Sequence, residues 1–382
     1  MKRSRGLTQT DNTQLKVRAP LHILVIGAGA IGSLIGGKLA LAGLPVTLTG
    51  RQRFVDAVQA NGLRLTANGV TQRTDALYPA ASLVGAFRHA AQMGLPFDAA
   101  ILTVKSYDTA TALAELQAAS QATGMALPPL LSLQNGVGNE EAIAGLAGPR
   151  GVIAGTITAP VEAPEAGVIH LTKPKFLVGM AHWNPQQPTP IFDGLRQQLL
   201  SAAIPVVQYP DARSMKWTKL LMNQIGNATS AILGQPPGVT FANPAIADLE
   251  ISALRETLAV MAAAGVRAVD MEKYPLGKLA PILRYAPRWL LRPVLRQIVS
   301  GARGGKMPSL YLDLAKGRAE NEVDWYNGAV ARTGAQVGVA TPVNRLLCET
   351  VLCLAQHPEA WAGWQGNPAR LAQAASPGKT TG

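Results

Sequence analysis

The pattern Gly27-x-Gly29-x-x-Gly32 constrains this chain more than any other feature, because of what flanks it. Before it runs Leu21-His22-Ile23-Leu24-Val25-Ile26, short and aliphatic, as expected of a parallel strand buried on both faces. After it, a helical pattern from about Ile31 to Ala42 stops at Gly43, and Pro45-Val46-Thr47-Leu48-Thr49 reads as a second parallel strand. In a βαβ unit of this kind the glycines have separate duties. Gly27 permits the tight turn, Gly29 lets the backbone approach a pyrophosphate, and Gly32 lets the helix pack close to the strand. The residues Gly27, Ala28, Gly29, Ala30, Ile31 and Gly32 are therefore expected to bind a dinucleotide, with its phosphates at the helix N-terminus.

A site that prefers NAD usually ends the second strand in Asp or Glu, which holds the ribose 2′-hydroxyl. Here that place reads Gly50-Arg51-Gln52-Arg53. Arg51, helped by Arg53, is suited to a 2′-phosphate through charge-assisted bonds of roughly 1.5–3 kcal/mol each. The expected cofactor is NADPH, preferred by about ten- to a hundredfold.

Further strands are expected at Ala99–Val104, Leu130–Leu133, Val152–Ala154 and Ile204–Val207, with helices between most of them. The segment Ala159–Gly179, punctuated by Pro160, Pro164, Gly167 and Pro174, reads as an antiparallel edge hairpin closing this domain. Beyond about Asp211 the patterns are helical, at Trp217–Leu233, Ala245–Ala264, Leu310–Thr333 and Pro342–Leu354. The proline-rich stretch Tyr274–Met307 reads as short broken helices ending in the loop Gly301–Gly305. The fold class is α/β: an N-terminal doubly wound Rossmann sheet followed by an all-helical domain. The expected division is a disordered arm over 1–20, a dinucleotide-binding domain over 21–210, a helical substrate or dimerisation domain over 211–360 and a tail over 361–382. A length of 382 residues suits two domains, and 48% hydrophobic against 15% charged residues excludes a mostly disordered chain.

Lys and Arg number 35 against 23 Asp and Glu, a net charge of +12. No nucleic-acid module surrounds the basic clusters, so anionic small molecules are the expected partners, without nucleic acid and without a membrane. The two cysteines, Cys348 and Cys353, suggest neither a disulfide framework nor a metal site. With no apolar signal-like run at the start, the cytoplasm is the expected location.

Ligands of a doubly wound sheet gather at the carboxyl ends of its strands, and two of these ends are polar: Lys105-Ser106 and Gln134-Asn135-Gly136. In the helical part, Lys219, Asn223 and Asn227 recur every four residues and are expected to share one helical face. Asn costs a few tenths of a kcal/mol in mid-helix, so two of them suggest a hydrogen-bonding duty. Ser309 and Asp313 are likewise four apart.

In this order the motifs resemble those of the ketopantoate reductase family, from about Leu21 to Cys353. The matching run is Gly27-x-Gly29-x-x-Gly32, Lys105, Gln134-Asn135-Gly136, Lys219-x-x-x-Asn223-x-x-x-Asn227, Ser309-x-x-x-Asp313, Gly317-Arg318, Glu322-Val323-Asp324, Asn327-Gly328 and Thr341-Pro342. The resemblance implies a helical domain like that of the 6-phosphogluconate dehydrogenase relatives. It also implies reduction of 2-dehydropantoate (ketopantoate) to (R)-pantoate with NADPH, a step of pantothenate biosynthesis, and it is compatible with a homodimer. It makes Lys219 the general acid, with Glu322 assisting. Asn223, Asn227, Ser309 and Asp313 would hold the substrate, and Lys105 and Asn135 would line the junction of cofactor and substrate. The family spaces its Asp and Glu eight apart, whereas Glu322 lies nine after Asp313, so Glu320 competes for the carboxylate role. Another branched 2-keto acid as substrate, or a non-catalytic NADPH sensor, are the alternatives. The sequence Gly378-Lys379-Thr380 imitates the end of a phosphate loop, but no helix is expected after it.

Overall fold

The computed structural model describes residues 20–271, 274–303 and 305–375. The arm expected over 1–20 lies outside the described residues except for Pro20, as do Gly378, Lys379 and Thr380.

Twelve strands are described: β1 (Ile23–Ile26), β2 (Val46–Thr49), β3 (Leu63–Ala67), β4 (Val70–Thr74), β5 (Tyr78–Ala80), β6 (Ala99–Leu102), β7 (Leu130–Ser132), β8 (Val152–Thr158), β9 (Val161–Glu165), β10 (Val168–Leu171), β11 (Leu177–His182) and β12 (Val206–Gln208). Eight form one sheet in the order β12-β11-β8-β7-β6-β1-β2-β5. Every pair from β5 to β8 is parallel, β11 runs antiparallel to β8, and β12 is parallel to β11. Chain order reverses between β1 and β6, and this reversal opens the crevice in which doubly wound sheets bind ligands.

Helices α1 (Ala30–Leu41), α2 (Gln52–Asn61), α3 (Leu83–Gln92), α4 (Thr109–Thr123), α5 (Asn139–Ala147) and α6 (Phe192–Ser201) accompany the sheets. Alternate residues of β1 explain the two-sided burial. Ile23 and Val25 enter the core that holds Leu34, Ile35 and Leu39 of α1, whereas Leu24 and Ile26 enter the opposite core with Phe87 of α3 and Leu116 of α4. All four side chains are buried, each stabilising the fold by roughly 1.5–3 kcal/mol.

The segment expected as an antiparallel edge hairpin forms one, at the edge of a second sheet. Strands β9 and β10 pair with each other and then, through β10, with β3, giving a separate sheet in the order β4-β3-β10-β9. Strands β3 and β4 form a hairpin whose turn residues Asn68 and Gly69 both have positive φ (51° and 76°), as a type I′ turn requires. This hairpin was legible as Asn-Gly between two extended runs, but the sequence reading passed over it.

From Ala212 the chain is helical: α7 (Ala212–Gln224), α8 (Ala228–Leu233), α9 (Pro237–Thr240), α10 (Pro244–Ala263), α11 (Leu276–Tyr285), α12 (Arg288–Arg303), α13 (Ser309–Ala315), α14 (Asn327–Gln336), α15 (Pro342–Gln356) and α16 (Pro368–Ala374). The single helix expected over Trp217–Leu233 is two. Gly226 (φ +64°) breaks it, and Glu250 of α10 accepts from the Gly226 amide at 3.1 Å and from the Thr229 hydroxyl at 2.5 Å. The helix expected over Leu310–Thr333 is also two, separated by a turn at Gly317 (φ +64°) and a short 3-10 segment, Glu322–Trp325. Pro281 and Pro293 lie inside α11 and α12 rather than breaking them, and α12 runs into the expected loop as far as Arg303. Part of the expected tail packs: Leu371 of α16 is fully buried, and the Trp361 indole donates to the carbonyls of Ala231 and Ile232.

Candidate active site

At the glycine turn the three glycines differ sharply in what surrounds them. Gly27 has φ +106°, and a Cβ there would lie 2.8 Å from Val104 Cγ1. A Cβ on Gly32 would lie 1.9 Å from the Gly27 carbonyl oxygen and 2.5 Å from Thr103 Oγ1, so this glycine sets how closely α1 approaches β1 and β6. Gly29 is exposed, and a Cβ there would meet nothing within 4 Å. No side chain caps α1 at Gly29, and no acidic residue stands in its first turn. An open backbone position before an uncapped helix N-terminus fits an incoming pyrophosphate. Ala28 is drawn against Gly50, where a Cβ would come within 2.6 Å of it, and Ala30 and Ile31 are half-buried in the first turn of α1. Arg51 and Arg53 are exposed at the carboxyl end of β2, and Asp56, the nearest acid in sequence, is engaged by Gln52 at 2.7 Å.

The loops after β6 and β7 are tied together from below. Thr103 donates to the carbonyls of Ile26 (3.0 Å) and Gly27 (2.8 Å), fixing the glycine turn to β6. Ser106 donates to the Asn135 carbonyl at 2.8 Å, which also receives Asn139 Nδ2 at 3.0 Å, while Gln134 Nε2 reaches the Val104 carbonyl (3.0 Å) and Thr109 (2.7 Å). These partners leave the Asn135 side chain to face outward. Gly136 (φ +78°) brings its backbone against Trp325, where a Cβ would lie 2.6 Å from both the Cβ and the carbonyl oxygen.

Helix α7 carries the chemistry to this crevice. It packs on β8 and β11, with Met215 in a small core beside Ala154 and Ala181. Lys219 is buried, and its Nζ donates to Thr158 Oγ1 at the end of β8 at 2.6 Å. One turn on, Asn223 Nδ2 donates to Asn135 Oδ1 at 3.1 Å, joining the two halves of the molecule. Asn227, beyond the helix break, donates from Nδ2 to the Asn223 carbonyl (3.1 Å) and accepts on Oδ1 from the Leu310 amide (3.2 Å), so it docks α13. Asn135, Asn223, Asn227 and Ser309 together line a cleft of about 280 Å³, with Pro160, Thr172, Lys173, Lys306, Met307, Pro308 and Tyr326.

The other predicted residues lie beside that cleft. Lys105 Nζ lies 2.5 Å from Glu322 Oε2 and 3.3 Å from Asp313 Oδ2. Burial alone pulls the Lys105 ammonium down, but these two carboxylates outweigh it and raise its pKa above the usual lysine value. Asp313 is buried and also receives Arg318 at 2.8 Å. Asp313 therefore gathers cations and is absent from the cleft lining. Glu322 is buried against Lys105, whereas Glu320 is exposed.

The sequence reading missed two groups. Lys216 and Glu140 are both buried and lie 2.8 Å apart, with the ammonium donating to the carbonyls of Gln134 (2.7 Å) and Gly155 (3.2 Å). A lysine one turn before Lys219 was the available signal. Thr172 and Lys173 reach the cleft from the end of β10, which no local pattern announces because the small sheet joins segments a hundred residues apart. Among the described residues, no group of His, Cys, Asp and Glu is arranged to hold a metal ion.

The family models for ketopantoate reductase PanE/ApbA match residues 23–183 and, for its C-terminal domain, residues 211–354. The 2-dehydropantoate 2-reductase of Pyrococcus horikoshii is 28% identical over 328 residues, covering 86% of this chain and 95% of that protein. That of Mesorhizobium japonicum is 27% identical over 341 residues, covering 84% and 94%. Among solved structures, a PanE/ApbA family ketopantoate reductase from Ralstonia eutropha JMP134 superposes with a TM-score of 0.73 at 26% identity, covering 89% of this chain and all of the other. The fold is shared as well by a D-mandelate dehydrogenase solved with NADH and anilino(oxo)acetate, at TM-score 0.71 and 20% identity over 88% and 99% of the chains. With both domain models matched in order along the chain, and relatives of one name aligned over most of its length, the protein belongs to the ketopantoate reductase family of oxidoreductases.

Proposed function

We propose that the chain reduces ketopantoate to (R)-pantoate with NADPH, in the cytoplasm and as a step towards pantothenate. The observation that carries this reading is the meeting of the two halves. A buried lysine and an asparagine on α7 stand against Thr158 and Asn135 at the carboxyl ends of the sheet, beside an open glycine turn. The 2-dehydropantoate 2-reductases that align over most of the chain support the same substrate.

Gly27 to Gly32 and the α1 N-terminus would hold the pyrophosphate, and Arg51 with Arg53 the 2′-phosphate. When bound, the nicotinamide supplies a hydride to the keto carbon. As that carbon accepts the hydride, negative charge develops on the carbonyl oxygen, and Lys219 stabilises it and donates a proton to it. Thr158 holds the Lys219 ammonium in place. Asn223, Asn227 and Ser309, in the cleft wall, orient the hydroxyl and carboxylate ends of the substrate. Asn135, held from behind by Ser106 and Asn139, fixes the side of the cleft nearest the sheet. Glu322 and Asp313 anchor Lys105 across the junction, and through it they hold the two halves at their working separation.

A second reading, reduction of another 2-keto acid, is favoured by the shared fold of the D-mandelate dehydrogenase, whose bound anilino(oxo)acetate carries a different side chain. It changes the substrate and not the roles. Replacement Lys219→Ala should lower kcat by about 10²–10⁴ while leaving NADPH binding within a few-fold. A kcat close to that of the unaltered enzyme, measured with ketopantoate, would remove Lys219 from the acid role.

A further inference from the structure

Helices α11 and α12 follow one another across α10, and none of their described side chains lines the cleft. Between Leu276 and Arg303 stand six basic residues, Lys278, Arg284, Arg288, Arg292, Arg296 and Arg303, and no Asp or Glu. The inner face is seated: Leu291, Leu295 and Val299 are buried in the core shared with α10, and Arg255 of α10 donates to the carbonyls of Leu283 and Ala286 at the bend. None of the described residues packs over the outer face. Seven of the fifteen exposed large apolar residues among the described residues lie here: Leu279, Ile282, Tyr285, Trp289, Leu290, Val294 and Ile298. Such concentration in two consecutive helices marks a contact surface rather than scattered exposure.

The arrangement within α12 is ordered. Leu290, Val294 and Ile298 recur every four residues and make one exposed stripe along the helix. Arg292 is neutralised by Asp248 of α10. Lys278, Arg284, Arg288 and Arg296 have no acidic partner among the described residues. Trp289 and Tyr285 are 71% and 74% exposed, beside the stripe and at the bend.

We propose that this face docks peripherally on an anionic phospholipid surface. An exposed aliphatic stripe can enter the boundary between headgroups and acyl chains, aromatic rings settle at that boundary, and arginines reach lipid phosphates. The other occupants fit less well. A second copy using the same face across a two-fold axis would set these cations against their own equivalents, in a chain already carrying +12. A nucleic acid would engage the arginines and leave the apolar stripe in water. Nor is insertion required, since no helix among the described residues is long and apolar enough to cross a membrane. The basic composition alone leads to no membrane partner. The exposed outer face, whose Arg284, Arg288 and Arg296 have no acidic partner among the described residues, is what reverses that choice.

The test is flotation of the full-length protein with vesicles of phosphatidylcholine alone and with about a third phosphatidylglycerol. Binding is expected only to the anionic vesicles. Raising the salt should weaken it by about tenfold or more, because the electrostatic part is screened. The variant Trp289→Ser with Val294→Asn should bind at least about tenfold more weakly, since it removes apolar area that would enter the membrane. Its keto-acid turnover and NADPH affinity in solution should be unchanged. A second variant, Arg284→Gln with Arg296→Gln, should lose the preference for anionic lipid. No flotation with either vesicle would overturn the proposal, as would binding that survives both variants. So would a dimer by light scattering that Trp289→Ser with Val294→Asn dissociates.

Discussion

Two glycines three residues apart make opposite demands on a methyl group, and the difference separates folding from binding. At Gly32 a Cβ would lie 1.9 Å from a backbone oxygen, so Gly32→Ala must push α1 off the sheet. At Gly29 the same atom meets no protein. Thermal unfolding should therefore show Gly32→Ala destabilised by about 1–3 kcal/mol, the usual cost of overpacking, and Gly29→Ala near normal. Titration with NADPH should show Gly29→Ala weakened, because its methyl group occupies the path of the pyrophosphate. Unchanged NADPH affinity in Gly29→Ala would separate the glycine turn from cofactor binding. Individual residues were also where the sequence was most legible. The glycine turn after a strand, the polar strand ends at Lys105 and Asn135, and the four-residue spacing of Lys219 and Asn223 can each be read from the sequence, because each is a short motif with a mechanical reason. The roles of Asn227 and Asp313 were less visible. Their partners, Leu310 for one and Lys105 with Arg318 for the other, depend on a helix break and a domain junction.

Among the elements, α7 decides how well the site is built. It presents Asn223 to the cleft and sets Lys219 against Thr158, and its position is set one turn earlier by Lys216, which binds two carbonyls and lies 2.8 Å from Glu140 in a buried setting. Removing one member of a buried pair leaves the other charge unsupported, at a cost of about 3–5 kcal/mol. Chemical denaturation of Lys216→Met should show a loss of that size, and adding Glu140→Gln should recover much of it. A double variant no better than the single one would mean that the carbonyl contacts, not the ion pair, dominate. The elements of the main sheet were readable from hydrophobic runs because strands buried on both faces carry no competing signal. The small sheet was not, since β3 and β10 are drawn together by tertiary pairing alone. The two helix breaks were hidden for a related reason. Gly226 and Gly317 interrupt patterns whose apolar spacing runs on past them.

For the whole molecule, Lys105 with Glu322 and Asp313 is one of the ties across the junction between the halves, beside Asn223 with Asn135 and Lys216 with Glu140. The pKa of Lys105 is raised in the folded state, so its stabilising contribution is fully present below the unfolded value of about 10.4 and is lost as pH rises through the folded value. The difference in melting temperature between the unaltered protein and Lys105→Met should hold from neutral pH to about 10 and shrink above that. A difference that persists undiminished well above that range would place the stabilisation elsewhere.

The central claim is that this architecture turns over a branched 2-keto acid with NADPH. Its most direct test is kcat/KM for ketopantoate and a panel of other 2-keto acids, measured with NADPH and with NADH. The account predicts NADPH oxidation on adding ketopantoate, with NADPH favoured over NADH by about ten- to a hundredfold through Arg51. Tight NADPH binding without oxidation on any 2-keto acid would contradict it.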